Sequence, residues 1–343
     1  MAYQTRAADP ERDRPAILEL WEGALQGKVS REDKLRVHYL ECPWGHPMVE
    51  LLEHDGSPVG VVAVQPRDME REGCRISAGL LMDFAVAPSH RSVGPALKLQ
   101  RAALSRGAGQ FDLIYGLPNH SARSLSERAG MQAIGTMTRF VRVVRHGHYL
   151  EHHMPRGLAN VLGSLVDGVM GTVRRLRSAF GASKVTTWSD EPTSEFDDLW
   201  RASRSGSCVL AARDSRRLRW RFPAGLARRV RYLMVRDRKR GNLEGWFACE
   251  SVEGSLRVVD YWTLDAARGT GRRLIEALAA AAASLGCVSI SIELLAPEVI
   301  VQSWLIAGFV ARDSRRVLGR WRDGLPPGAA DGGLLLTSAD EDE

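Results

Sequence analysis

Asp83 is a carboxylate set in an otherwise apolar run, Gly79 to Val86, that reads as a buried strand. Burial disfavours a charged carboxylate and raises its pKa toward the range where it can accept a proton near neutrality. A solvated or capping aspartate on the strand face is the competing reading. Pro88 stops the strand, and Arg91, Ser92, Val93, Gly94, Pro95 and Ala96 follow, with Arg91, Gly94 and Ala96 spaced Arg-x-x-Gly-x-Ala. A helix then begins near Gly94. Such a strand, loop and helix start leaves backbone N–H groups unpaired beside the positive end of the helix dipole. Gly94 and Ala96 keep side chains clear, so a pyrophosphate can approach the backbone.

The next elements continue this pattern. Phe111 to Leu117 is an apolar strand that ends in Tyr115-Gly116-Leu117. Asn119 then starts a helix that runs through Ser126 to Ala129-Gly130-Met131. His90 and His120 lie in turns, where histidine is commonly just exposed.

The Arg91–Ala96 loop resembles motif A, and Asn119–Met131 resembles motif B, of the GNAT superfamily of acyl-CoA-dependent acyltransferases. The resemblance covers mainly residues 78 to 144. It implies a mixed central sheet flanked by helices; with the α/β pattern and a drifted repeat of the second half, the expected fold is α/β with two GNAT-like domains, the second degenerate. It also implies direct transfer of an acyl group, usually acetyl, from CoA to an amine. Acetyl-CoA would be held by Arg91, Ser92, Val93, Gly94, Pro95, Ala96 and Asn119. A backbone N–H among Ala85, Val86 and Ala87 would polarise the thioester carbonyl. The amine must be neutral to attack, which makes Asp83 the first candidate for the base or amine holder, with His90 and His120 as alternatives. Relatives often carry a Tyr on the motif B helix to protonate the thiolate. Ser126 stands there in this chain and is a far weaker acid, so Tyr115 is a candidate substitute.

The elements around these residues follow from patterning. The length of 343 residues suits two domains, and 44% hydrophobic content supports packed cores. Strands are expected at 3–8, 49–53 and 59–64, the last two joined through Asp55-Gly56. Helices are expected after Pro10 and over 34–40. Residues 1–145 form the expected acyl-CoA-binding domain and 146–184 an amphipathic helical linker. Over 156–180 that linker carries an apolar stripe with arginines at its end. It packs between domains, or else lies on a membrane surface.

Residues 185–325 repeat the first half in drifted form. Arg268 and Gly271 fit motif A, but Arg273 replaces its small residue and Pro297 replaces the Asn of motif B. This half is read as structural or substrate-orienting. Arg213 to Pro223 interleaves arginines with Trp and Phe, and is read as a packed helix turn with an exposed basic face. The stretch is also similar to one in long GNAT-type proteins associated with bacterial polysaccharide loci. Residues 326–343, rich in Gly, Ala and acids, are expected to be a disordered tail.

A net charge of +6 suits an anionic ligand, and no nucleic-acid-binding motif accompanies it. The five cysteines are scattered without a Cys-x-x-Cys pair, which argues for reduced thiols, no metal site and a cytoplasmic location. The N-terminus lacks the apolar core of a signal peptide. Residues 277–292 lack charge but are alanine- and serine-rich, and read as a helix running into a strand rather than a membrane span. The leading function is acyl-CoA-dependent N-acyltransfer to a small-molecule or sugar amine. The alternative is a non-catalytic acyl-CoA sensor or assembly protein.

Overall fold

Three tight turns with left-handed residues organise the sheet. Asp55-Gly56 (φ 50° and 78°), Glu72-Gly73 (52° and 78°) and Glu253-Gly254 (47° and 75°) each close a two-residue hairpin. Positive φ at both central residues twists the chain in the sense the strands require. The computed structural model describes residues 2–22, 24–25, 29–145, 184–225, 229–322 and 333–342. The expected linker helix over 156–180 lies outside these residues.

The first half runs β1 (Tyr3–Ala8), α1 (Arg14–Glu22), α2 (Arg31–Lys34), β2 (Met48–His54), β3 (Ser57–Arg71), β4 (Cys74–Val86), α3 (Val93–Gly107), β5 (Leu113–Gly116), α4 (His120–Arg128) and β6 (Gln132–Val143). After α2 the chain continues as a π-helix over Leu35–Leu40. The second half runs β7 (Lys184–Ser189), α5 (Ser194–Ser203), β8 (Val209–Ala211), α6 (Ser215–Arg221), β9 (Val230–Asp237), β10 (Leu243–Val252), β11 (Ser255–Thr263), α7 (Arg272–Ser284), β12 (Ser289–Leu295), α8 (Glu298–Ile306), β13 (Val310–Trp321) and β14 (Leu334–Thr337). The uncharged stretch 277–292 is the end of α7 and the start of β12. Ala279, Ala281, Ala282 and Ala283 are buried in the core rather than facing lipid. Among the described residues no helix is long and apolar enough to cross a membrane.

The described strands form one 14-stranded mixed sheet, ordered β1-β2-β3-β4-β5-β13-β6-β12-β11-β10-β9-β7, with β14 and β8 off this path. The last strand of each half crosses over. β13 lies between β5 and β6, while β6 pairs with β12 from Ser289↔Val143 to Leu294↔Thr138. The two halves therefore complete each other's sheet, and a division at residue 145 cuts the sequence but not the hydrogen-bond ladder.

Two sequence expectations are corrected here. The tail is not disordered over 333–342. Leu334, Leu335 and Leu336 are buried, and β14 pairs antiparallel with β12 and parallel with β8. Thr337 and Asp340 form a capping box. The acids that suggested a solvated tail have buried cationic partners: Asp340 accepts from Arg213 Nη2 at 2.9 Å and pairs with Arg217. The basic segment is accordingly not an exposed face. Arg213, Arg217 and Arg221 are buried, and only Arg216 and Arg219 face solvent.

Candidate functional site

β4 and β5 pair in parallel through just three positions, Ala78↔Leu113 to Leu80↔Tyr115. β4 runs on to Val86, whereas β5 ends at Gly116 and turns into α4. At the crotch a side chain on Gly116 would place its Cβ 3.2 Å from the Leu81 carbonyl oxygen, so glycine permits the close approach before the strands part. A cleft of about 830 Å³ opens beyond it. Leu81–Phe84 form one wall and Gly116–Asn119 with Ala122 and Ser126 the other, while α2, Glu250 and Asp342 close the rim.

Asp83 sits at a break in the β3–β4 register. Val61 faces Ala85 and Ala63 faces Met82, so Asp83 and Phe84 together oppose Val62. This is a β-bulge, with Asp83 at φ 53°. A left-handed non-glycine residue costs backbone energy and concentrates at functional positions. The bulge turns the Asp83 carboxylate away from solvent: its side chain is 0% exposed and it pairs with Lys34. Tyr39 donates its hydroxyl proton to Oδ2 at 2.8 Å. The reading of Asp83 as a solvated residue does not hold. Burial pushes its pKa up, and the Lys34 ammonium offsets part of that. Burial alone would lower the pKa of Lys34, but the Asp83 and Asp342 carboxylates outweigh it and hold the group charged. His38 is half-buried, and burial, with the Arg221, Lys34 and Arg67 cations nearby, holds its pKa well below the ordinary value so that it is neutral.

Sequence reasoning missed Lys34 and Tyr39. Residues five apart do not share a face of an α-helix. The segment after Lys34 is a π-helix, with Glu41 N–H bonded to the Arg36 carbonyl at 2.9 Å, and its wider turn brings both side chains to one carboxylate.

The expected phosphate loop lies at the end of β4. Arg91 Nε donates to the Val86 carbonyl at 2.8 Å and fastens the loop to the strand. Ser92 sits at the N-cap position of α3 without a side-chain cap bond, so the first turn presents the N–H groups of Val93 and Gly94, and Pro95 contributes none. A Cβ on Gly94 would meet no atom within 4 Å, so the approach is open. Ala96 is half-exposed one turn on. The Ala87 N–H is already taken by the Val59 carbonyl at 2.8 Å. Alternation along an antiparallel ladder turns Ala85 toward β3 in the same way and Val86 N–H toward the open side. Of the three expected donors, Val86 is the one whose N–H points away from β3.

Asn119 caps α4, accepting from Ala122 N–H at 2.9 Å and from the Ser121 hydroxyl at 2.8 Å. Ser126 lines the cleft and is nearly buried. Its hydroxyl accepts from Gln100 Nε2 at 2.8 Å and donates to the Ala122 carbonyl at 3.2 Å. Gln100 also lines the cleft, and its Oε1 has no partner among the described residues. The sequence offered no reason to single it out. Tyr115 is not where a thiolate acid should be. It is buried outside the cleft, donates to the Asp340 carbonyl at 2.8 Å, and burial pushes its pKa up to about 12. His90 also lies off the cleft, bonded to the Tyr3 hydroxyl at 2.9 Å, and His120 is exposed at the start of α4.

The second half has the corresponding parts, and they are occupied. β11 and β12 pair from Ser255↔Ser289 to Val258↔Ile292 and then separate. β14 fills the gap, pairing with β12 at Leu294 and Leu295. Trp304 follows Pro297 by seven residues, as Ser126 follows Asn119, and its indole is fully buried against Tyr261 and Phe309. Asp260, in the β11 position that Asp83 holds on β4, is bound by Arg213 Nε at 3.0 Å. The described residues contain no cluster of His, Cys, Asp and Glu fit for a metal ion.

No protein-family model and no curated protein matches the chain. Solved structures do. A GCN5-related N-acetyltransferase from Anabaena variabilis is 13% identical, with a TM-score of 0.65 over 94% of this chain and 73% of that one. A probable N-acyltransferase from Enterococcus faecalis is 11% identical, with a TM-score of 0.64 over 94% and 73%. The Saccharomyces cerevisiae N-myristoyltransferase with bound myristoyl-CoA is 10% identical, with a TM-score of 0.53 over 96% and 88%. These likenesses establish the fold.

Proposed function

We propose that this chain, which has the GNAT fold, is an acyl-CoA-dependent N-acyltransferase whose working site is the β4–β5 cleft. One observation carries the reading: β4 places a buried carboxylate on a strained bulge, Asp83, in the wall of the cleft and ends eight residues before an unobstructed helix start at Gly94. The same opening in the second half is filled.

In this reading the pyrophosphate of acetyl-CoA lies on the Val93 and Gly94 N–H groups, at the positive end of α3. The pantetheine follows the unpaired edge of β4, and Val86 N–H polarises the thioester carbonyl. The acceptor enters the cleft as an ammonium and loses a proton to Asp83, directly or through one water. The neutral nitrogen forms the C–N bond as the C–S bond breaks, and the second proton it sheds ends on the departing sulfur, so the products are the amide and free CoA thiol. Thiolate is the leaving group. Ser126 is the α4 hydroxyl in the cleft, a weak acid held by Gln100. The site of action is read as cytoplasmic, and the acceptor as a small-molecule or sugar amine.

A non-catalytic acyl-CoA sensor is the second reading, favoured by the absence of a tyrosine at 126 and by the ion pair that pins Asp83. Calorimetric titration with acetyl-CoA, followed by a thiol-release assay across amino sugars, polyamines and amino acids, separates the two. Binding without turnover favours the sensor, and no binding sinks both.

Two loop variants sharpen the test. Because Gly94 faces open space, Gly94→Val should fold normally yet weaken acetyl-CoA binding by about 10-fold or more, roughly 1.4 kcal/mol. Unchanged affinity would remove the loop from the site. Gly271→Val, also open to solvent, should leave the acetyl-CoA stoichiometry at one per chain. A parent with two equivalent sites, one lost in this variant, would refute the occupied second opening.

A further inference from the structure

We infer that Asp342 is the acceptor-recognising carboxylate of the cleft, held there by the filled opening of the second half. The inference rests on the acyltransferase reading and adds the residue that selects a cationic acceptor.

The tail is anchored on every side just before it reaches the cleft. Beyond β14, Thr337 donates its hydroxyl proton to Asp260 Oδ1 at 2.9 Å. Arg221 Nε donates to the Ala339 carbonyl at 2.8 Å, and Tyr115 to that of Asp340. The Asp340 carboxylate takes Arg213 and Arg217 together. Asp260 is the counterpart of Asp83, so the acid that would serve a second active site instead ties down the tail. Two residues past Asp340 the chain arrives at the rim of the β4–β5 cleft with Asp342.

Four carboxylates line this cleft: Glu32, Asp83, Glu250 and Asp342. Asp83 is committed to Lys34 and Tyr39. Glu32 lies out on the exposed surface of α2, and Glu250 is buried and has partners of its own. Asp342 is half-buried and has no hydrogen-bond or ion-pair partner among the described residues. Its charge still reaches both Lys34 and Asp83, raising their pKa values. A half-buried carboxylate beside the proposed base, with an anchored backbone and an open side chain, suits an incoming ammonium. A charge-assisted pair there would hold a cationic acceptor before Asp83 takes its proton. Residues 91–96 of the phosphate loop are not among the residues that line the cleft with Asp342, so its proposed contribution is assigned to the acceptor.

The test compares the parent with Asp342→Asn and Asp342→Glu. Acetyl-CoA is titrated calorimetrically into each, and initial transfer rates are measured against spermidine, glucosamine and lysine. The expected result is an acetyl-CoA Kd equal in all three proteins. The acceptor KM should rise about 10-fold in Asp342→Asn, with kcat changed much less, and Asp342→Glu should recover most of the loss. Equal KM values in parent and Asp342→Asn would overturn the inference. If the parent binds acetyl-CoA but transfers to none of these amines, the acyltransferase reading fails separately. Asp342 is then read by titrating spermidine into the CoA-loaded proteins. Binding by the parent that weakens in Asp342→Asn supports it, and equal binding or none overturns it.

Discussion

Asp83→Asn should lower acetyl transfer by about 100- to 10,000-fold while acetyl-CoA affinity stays nearly constant, the range typical for loss of a general base. The substitution keeps the shape of the side chain and removes its charge and its basicity. Because Lys34 loses its counterion, circular dichroism and a melting curve must first show that the variant folds. A drop confined to a raised acceptor KM would mark Asp83 as an amine anchor, whose loss removes uniform binding. Transfer at the parent rate and KM would make it structural. The pH profile gives a second reading. Burial raises the pKa of Asp83, so kcat/KM should fall on the acid side as that carboxyl takes up a proton, and this limb should vanish in Asp83→Asn. Lys34 opposes the upward shift. Lys34→Gln should therefore move the limb to higher pH, and a limb that stays put would show that some other group is titrating.

What the sequence disclosed was the local part of this site. The strand, loop and helix around Asp83 and Gly94 are encoded by neighbours within about twenty residues, as are the Asn119 cap and the Asp55-Gly56 turn. What stayed hidden depends on distant partners. Nothing in residues 132–143 says that β6 pairs with β12, because strand patterning fixes which face is buried and not which neighbour is chosen. Lys34 and Tyr39 escaped because their convergence needs a π-helix. The tail reads as solvated because its acids find their arginine partners more than a hundred residues away. Tyr115 reads as available from strand alternation alone, whereas both faces of β5 are buried. Trp304 shows the same limit: its spacing from Pro297 is legible, but only its burial against Tyr261 and Phe309 shows that the position is occupied.

The buried acid of the tail carries the second large expectation. Asp340→Asn should cost about 3–5 kcal/mol of stability in urea unfolding, the usual penalty when one partner of a buried ion pair is removed and the other charge stays behind. Here two guanidinium groups lose their shared carboxylate in surroundings that are fully buried. Arg217 Nε and Nη1 have no other partner among the described residues, so Arg217 suffers most. Combining Asp340→Asn with Arg217→Met should recover part of the loss, because the uncompensated charge leaves with its side chain. Burial alone would raise the pKa of Asp340, but Arg213 and Arg217 outweigh it and hold the carboxyl below its ordinary value. Its contribution is therefore complete above the unfolded value of about 3.9 and is lost as pH falls through the lower folded value. The stability gap between parent and Asp340→Asn should thus be constant from neutral pH down to about pH 5 and narrow below about pH 4. A gap under about 1 kcal/mol at neutral pH, or one that does not narrow in acid, would show that the tail is held by β14 and its leucines rather than by this ion triad.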